Sequence, residues 1–259
     1  MIESEDVKTP EMLRDFLRAK GGNHKAYYQY TNCEALGKIV SGKTLLLTRA
    51  DELNDLAECN GMSAEEKQKT YIASFTFGQM ECVAMWFMYS RDYKTAVRVR
   101  FSLKQMNELK KQLAKDSYVV LTDGNDSVHY PVKDFYFSDV VYAHNRFLTH
   151  DTEKLLNDQN DRIAAWKKSA VLRGLMKNAP WAYEKEVRLI VVLEKAEKDL
   201  KRILIKLPEA ADGISATLGP NTDDLGGIDI KFDKSTLTGQ ISREFIARFE
   251  AADNENKNK

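Results

Sequence analysis

The stretch APWAYEKEVRLIVVL, residues 179–193, sets a turn around Pro180 ahead of a run rich in β-branched residues. A short apolar run bounded by a breaker reads as a buried strand. Residues i, i+2 and i+4 of a strand share one face. Glu184, Glu186 and Arg188 are therefore expected to point together, with the glutamates roughly 6.5–7 Å apart along the strand. Read blandly, this is a solvated face with an intrastrand ion pair worth under about 1 kcal/mol. The sharper reading is a cleft face, on which like charge raises one carboxyl and Arg188 lowers its neighbour. Such a pair suits reactions through an oxocarbenium-like cation.

The pattern upstream mixes helices and strands. Thr9-Pro10 opens a helix carrying Leu13, Phe16 and Leu17, and Gly21-Gly22 stops it. AYYQY (26–30) reads as a strand whose alternation puts Tyr28 and Tyr30 on one face and Tyr27 on the other. Thr31 and Glu34 fit a capping box, so a helix N-terminus, a favourable seat for anions, follows that strand directly. KTLLLT (43–48), YIASFTF (71–77) and TAVRVRF (95–101) are further strands, and MECVAMWFMYS (80–90) a buried helix in which Trp86 and Tyr89 read as core. Residues 152–178 read as one long helix or two, with Lys167, Lys168, Arg173 and Lys177 on a solvated basic face. Strands near 186–194, 202–207, 214–218 and 228–232 and a short helix at 242–250 complete the chain. The expectation is one α+β domain over residues 1–251 and a disordered polar tail at 252–259.

Composition narrows the function. The 259 residues carry 39 basic and 39 acidic side chains, so no strongly basic nucleic-acid binder is advertised. Three scattered cysteines and four histidines offer neither a disulfide framework nor metal-ligand spacing. With no apolar leader and no run near the ~20 residues that span a bilayer, the expectation is a cytoplasmic protein without membrane contact. P-loop, GxGxxG, HExxH and GxSxG motifs are missing.

WAYEKEVRLIV resembles the late W-x-Y-E-x-E-x-R core of a bacterial family of uncharacterised function. YYQY (27–30), LLLTRADELND (45–55), ASFTF (73–77) with AMWFMYS (84–90), and LGP (218–220) match its other segments in order, with a departure at Leu56-Ala57. That family is similar in motif order to mono-ADP-ribosyltransferases. The resemblance implies a split, twisted β-sheet with flanking helices, and NAD as the donor. Glu186 would hold the nicotinamide ribose and stabilise the oxocarbenium, and Glu184 would activate the acceptor. Tyr28 or Tyr30, then Ser74 and Thr76, would line the NAD site. Thr31 at its helix and Arg49 are candidate phosphate contacts, and no metal is implied. Enzymes of this kind are often toxins of toxin–antitoxin or anti-phage systems, which implies a protein, RNA or DNA acceptor and a neutralising partner protein. Rival readings are an NAD glycohydrolase on the same fold, a catalytically silent binding or regulatory module, and a nuclease built on Asp51, Asp55 and Glu58.

Overall fold

The structure, a computed structural model, describes residues 7–53, 59, 61–90, 94–116, 118–123, 126–143, 166, 169–209 and 213–240. The 242–250 helix, the 252–259 tail and most of the long helix expected over 152–178 lie outside those residues, as do Asp55 and Glu58.

Local signals set the first elements. Helix α1 (Pro10–Gly21) is capped by Thr9, whose Oγ1 accepts from the Met12 amide, and buries Leu13, Phe16 and Leu17. Strand β1 (Ala26–Asn32) runs straight into α2 (Cys33–Gly42), which leads to β2 (Thr44–Arg49). The cap of α2 is Asn32, whose side chain accepts from the Ala35 amide at 2.9 Å, and not Thr31. Thr31 is still paired with Val97 in the sheet, two residues before the chain turns helical, and Asn caps at least as well as Thr. Then come α3 (Ala64–Lys69), closed by a Ser63–Glu66 capping box, β3 (Thr70–Thr76), α4 (Val83–Tyr89), β4 (Ala96–Ser102) and α5 (Leu103–Asp116). The hairpin β5 (Tyr118–Asp123) and β6 (Asp126–Asp139) follows, then β7 (Val141–Ala143), β8 (Met176–Asn178), β9 (Glu186–Leu193), β10 (Arg202–Lys206), β11 (Ser215–Leu218) and β12 (Lys231–Lys234).

Ten strands form one large mixed sheet, and the architecture is α+β. Within it β3 pairs with β9, β9 with β6, β6 with β5, β5 with β10, β10 with β2, and β2 again with β3. These six strands close on themselves, every pairing antiparallel. Leu45, Leu47, Tyr71, Ala73, Phe75, Val187, Leu189, Val191, Ile203 and Ile205 belong to one buried core. They are alternate residues of their strands, as one inward face requires. A second core, with Leu13, Phe16 and Leu17 of α1, covers Ile72 and Ile190 on the opposite face.

The edge of β3 turned away from β9 is shared. Its start pairs with β2 through Thr48↔Ile72 and Arg49↔Tyr71, and its end pairs with β1 through Tyr28↔Thr76. Between these points β1 and β2 fork apart, bridged by α2, and β1 carries β4, β11 and β12 away from the ring. The fork leaves a gap in the sheet that no strand among the described residues fills.

Later in the chain one expectation fails and another shifts. Where described, residues 170–178 hold a 3₁₀ turn (Ala170–Leu172) and the short strand β8, parallel to β7, and not a helix end. Gly174, at φ +73, breaks any helix there. The last strand among the described residues, Lys231–Lys234, overlaps the one expected near 228–232 but starts three residues later, after two positive-φ glycines, Gly226 and Gly227. All four of its residues are exposed, so no alternation marks its register. Among the described residues no helix is long and apolar enough to cross a membrane.

The packing of α1 is close enough to test. A Cβ on Gly21 would lie 2.5 Å from the Ser138 backbone, whereas one on Gly37 inside α2 meets only Ile228, at 3.6 Å. Gly21→Ala is expected to destabilise by about 1–3 kcal/mol through overpacking, and Gly37→Ala to stabilise by about 0.5–1 kcal/mol. Denaturant midpoints at constant m-value read both.

Candidate functional site

The gap between β1 and β2 is the mouth of a cleft of 1330 Å³, larger than the roughly 300–1,000 Å³ common for small-molecule sites. Its walls come from β1, α2, β2, β3 and β10. Tyr89, Lys177, Trp181, Glu184 and Glu186 line it as well.

The glutamates do not lie on one strand. Residues Ala179–Glu184 form a 3₁₀ helix with Pro180 in its first turn, and Lys185 sits in the left-handed region at φ +45. For a residue with a Cβ that conformation costs about 1–2 kcal/mol. It puts a corner between the glutamates, and β9 begins at Glu186. The carboxylates still converge, because Lys177 Nζ reaches Glu184 Oε2 at 2.6 Å and Glu186 Oε2 at 3.2 Å. Each glutamate is 3 % exposed, so the solvated-face reading fails.

Arg188 completes the group. Its Nε and one terminal nitrogen donate to the two oxygens of Glu186 at 2.7 and 3.0 Å, a bidentate pair. Its other terminal nitrogen donates to the Gly174 carbonyl at 2.7 Å, which ties the floor of the cleft to the turn before β8. The Glu186 amide donates to the Tyr142 hydroxyl of β7 at 2.7 Å. Tyr89 of α4 donates its hydroxyl to Glu184, and Lys177 lies 5.0 Å from the Trp181 ring centroid.

Two carboxylates and two cations make a buried, charge-balanced group, and the environment drives the carboxyls apart. Burial opposes the charge of Glu186, but Arg188, Lys177 and the Ser74 hydroxyl outweigh it and hold the group at about 2. Burial and the charge of Glu186 push Glu184 upward against Lys177 and Tyr89. Glu186 is thus a fixed anion, and Glu184 is the carboxyl better placed to exchange a proton, a division of labour that paired acids commonly show.

The early strands supply the rest. Tyr28, Tyr30, Thr31, Ser74 and Thr76 all line the cleft. Tyr28 and Tyr30 share the face opposite Tyr27, which is in the core, as alternation predicts. The Arg98 guanidinium lies 3.7 Å from the Tyr28 ring centroid and 5.5 Å from that of Tyr30. The Tyr30 hydroxyl accepts from the Cys82 amide, and Thr76 Oγ1 from the Gly78 amide. Arg49 is different. It is buried against Asp51 and the carbonyls of Glu197, Lys198 and Leu200, outside the cleft, so it is a clamp on the turn before β10 and not a phosphate contact. The turn carbonyls that capture it come from a distant part of the chain.

Lys177 and Tyr89 are the site residues that the sequence misplaced. Tyr89 stands three residues from Trp86, which is core at 1 % exposure, and shares its apolar helix. Lys177 looked like part of a basic helix stripe, although Gly174 and Asn178-Ala179-Pro180 bracket it with breakers. Asp51 serves Arg49, and among the described residues no group of three or more His, Cys, Asp or Glu side chains could hold a metal ion.

A family model described as "Protein of unknown function (DUF2971)" matches residues 85–189, less than half of the chain. The match includes Tyr89, Lys177, Glu184, Glu186 and Arg188 and stops short of the strands that carry Tyr28, Ser74 and Thr76. Comparison with curated proteins and with solved structures found no match.

Two outcomes follow from the buried group. Arg188→Met, which leaves Glu186 without its main partner, is expected to destabilise by about 3–5 kcal/mol, read by urea unfolding. Because Glu186 is held at about 2 against an ordinary 4.5, its ionisation stabilises the fold above pH 4.5, and that contribution is lost as pH falls through 2. Glu184, raised, works with the opposite sign and subtracts stability as pH climbs above 4.5. Unfolding free energies at stepped pH should therefore fall less steeply between 4.5 and 2 in Glu186→Gln than in the parent.

Proposed function

We propose that the protein transfers ADP-ribose from NAD to a macromolecular acceptor. The observation that carries this reading is the floor of the cleft, where an immobilised anion, Glu186, stands beside a carboxyl raised toward neutrality, Glu184. Both sit where β1 and β2 fork from β3, next to Ser74 and Thr76 and facing Tyr28 and Tyr30. An aromatic strand, a Ser-x-Thr strand and a Glu-x-Glu corner around one gap in a sheet are the parts that the resemblance to mono-ADP-ribosyltransferases leads one to seek.

In this reading the bond between nicotinamide and the ribose C1′ breaks, and nicotinamide leaves with the bonding electrons. The cationic ribose gains most from a carboxylate that is already ionised and cannot move, which is the state of Glu186. The acceptor nucleophile then bonds to C1′ and loses its proton to Glu184. Tyr89 and Lys177 steady Glu184 between them, so its free motion is small. If water is the nucleophile, the same groups give an NAD glycohydrolase.

NAD labelled on its adenylate half, incubated with the protein in a lysate separated into protein, RNA and DNA, tests the reading. Label is expected in one macromolecular fraction, and Glu186→Gln is expected to lower it by about 10²–10³-fold. Glu184→Gln should reduce transfer more than nicotinamide release. Free ADP-ribose without macromolecular label identifies the hydrolase, and intact NAD throughout rejects both.

A further inference from the structure

The cleft has a second pole, away from the carboxylates. Strands β2 and β10 pair through Arg202↔Thr48, Leu204↔Leu46 and Lys206↔Thr44. Their alternate residues Leu45, Leu47, Ile203 and Ile205 fill the core, so Thr44, Leu46, Arg202, Leu204 and Lys206 form the outer face, and these five line the cleft together with His129 of β6. Leu46 is 45 % exposed, unusual for a leucine on a wall that belongs to a buried sheet.

The charges on this wall are unbalanced. Lys38 at the rim is paired with Glu34, and Lys43 with Glu209. Arg202 and Lys206 are exposed and form no ion pair among the described residues, although Glu209 feels the charge of Lys206. Among the described residues the only acids that line the cleft, Glu184 and Glu186, are bound to Lys177 and Arg188 at the other pole. Among the described residues the wall is therefore net positive, with an apolar step between two cations.

We propose that this face of β2 and β10 is a track for the acceptor, and that the acceptor is a single-stranded nucleic acid. The inference rests on the transferase reading of the cleft and adds the class of acceptor. Arg202 and Lys206 stand at i and i+4 of one strand, about 13 Å apart at their Cα atoms. A single pyrophosphate reaches both only if the side chains fold toward each other, whereas a chain with a phosphate at every nucleotide meets both as they stand. The Leu46–Leu204 step between them offers sugar and base an apolar surface, and the track leads into the pole that holds Glu184. A duplex, whose bases are stacked inside, gains nothing from that step.

Fluorescence anisotropy of a labelled single strand of about 12 nucleotides, as DNA and as RNA, tests this without NAD. The parent is expected to bind with a marked salt dependence. Removing two phosphate contacts in Arg202→Gln/Lys206→Gln should shrink the slope of log K against log salt by about 1.4. Between ~50 and ~200 mM salt the parent should thus weaken about sevenfold more than the double variant. Arg202→Lys/Lys206→Arg should restore the slope, which loss of fold would not allow. Absence of binding by the parent, or an unchanged slope in the glutamine variant, overturns the track. Because NAD takes no part, the two readings fail separately. Binding with NAD left intact in the labelling assay keeps the track and rejects the transferase, and label on a macromolecule without strand binding does the reverse.

Discussion

The bidentate pair between Arg188 and Glu186 is the contact on which the rest of the site depends. An ionised carboxylate this deeply buried is tolerable only when its charge and its lone pairs are met. Arg188 meets both oxygens, Lys177 adds a bond, and Lys177 in turn holds Glu184. The remaining guanidinium nitrogen fixes Gly174, and with it the turn that delivers Lys177. One ion pair thereby joins β9, the turn before β8, and the corner at Lys185. A well-packed apolar group of the same volume would often be as stable. Stability alone therefore does not account for four charges at the bottom of a cleft.

The placement of the pair follows from the strand pattern. β9 is covered on both faces and has partners on both edges, β3 and β6, so its backbone is held more firmly than that of any strand at the margin of the sheet. Glu186 stands at its first residue, opposite Thr76 at the last residue of β3. The carboxylate is thus anchored to the stiff part of the sheet, while its neighbour across the corner, Glu184, belongs to a short 3₁₀ helix.

Much of this was legible in the sequence where the chain's own period sets the geometry. The face shared by Tyr28 and Tyr30, the strand of Ser74 and Thr76, the cap at Thr9 and the β-branched run after Glu186 all follow from alternation or from a local hydrogen bond. What was not legible came from contacts between distant segments. Arg49 carries no local sign that carbonyls near residue 200 will capture it. Lys177 resembles any surface lysine until β7 and β8 pair. The Thr31–Glu34 spacing fits a box, but sheet pairing with β4 extends through Asn32 and passes the cap to it. Glu184 and Glu186 meet across a corner and not along one strand, because a left-handed lysine at 185 leaves no mark in the sequence.

The closed circuit of six strands also orders events during synthesis. β2 and β3 emerge early, yet the strands that complete their edges, β9 and β10, lie more than a hundred residues later in the chain. Non-local pairings of this kind form late and slowly. The early half of the site, with its tyrosines and the Ser-x-Thr strand, is therefore made well before the carboxylates arrive. A growing chain on the ribosome holds no assembled cleft until β9 and β10 have cleared the exit, which confines any chemistry of this site to chains in which both strands have emerged.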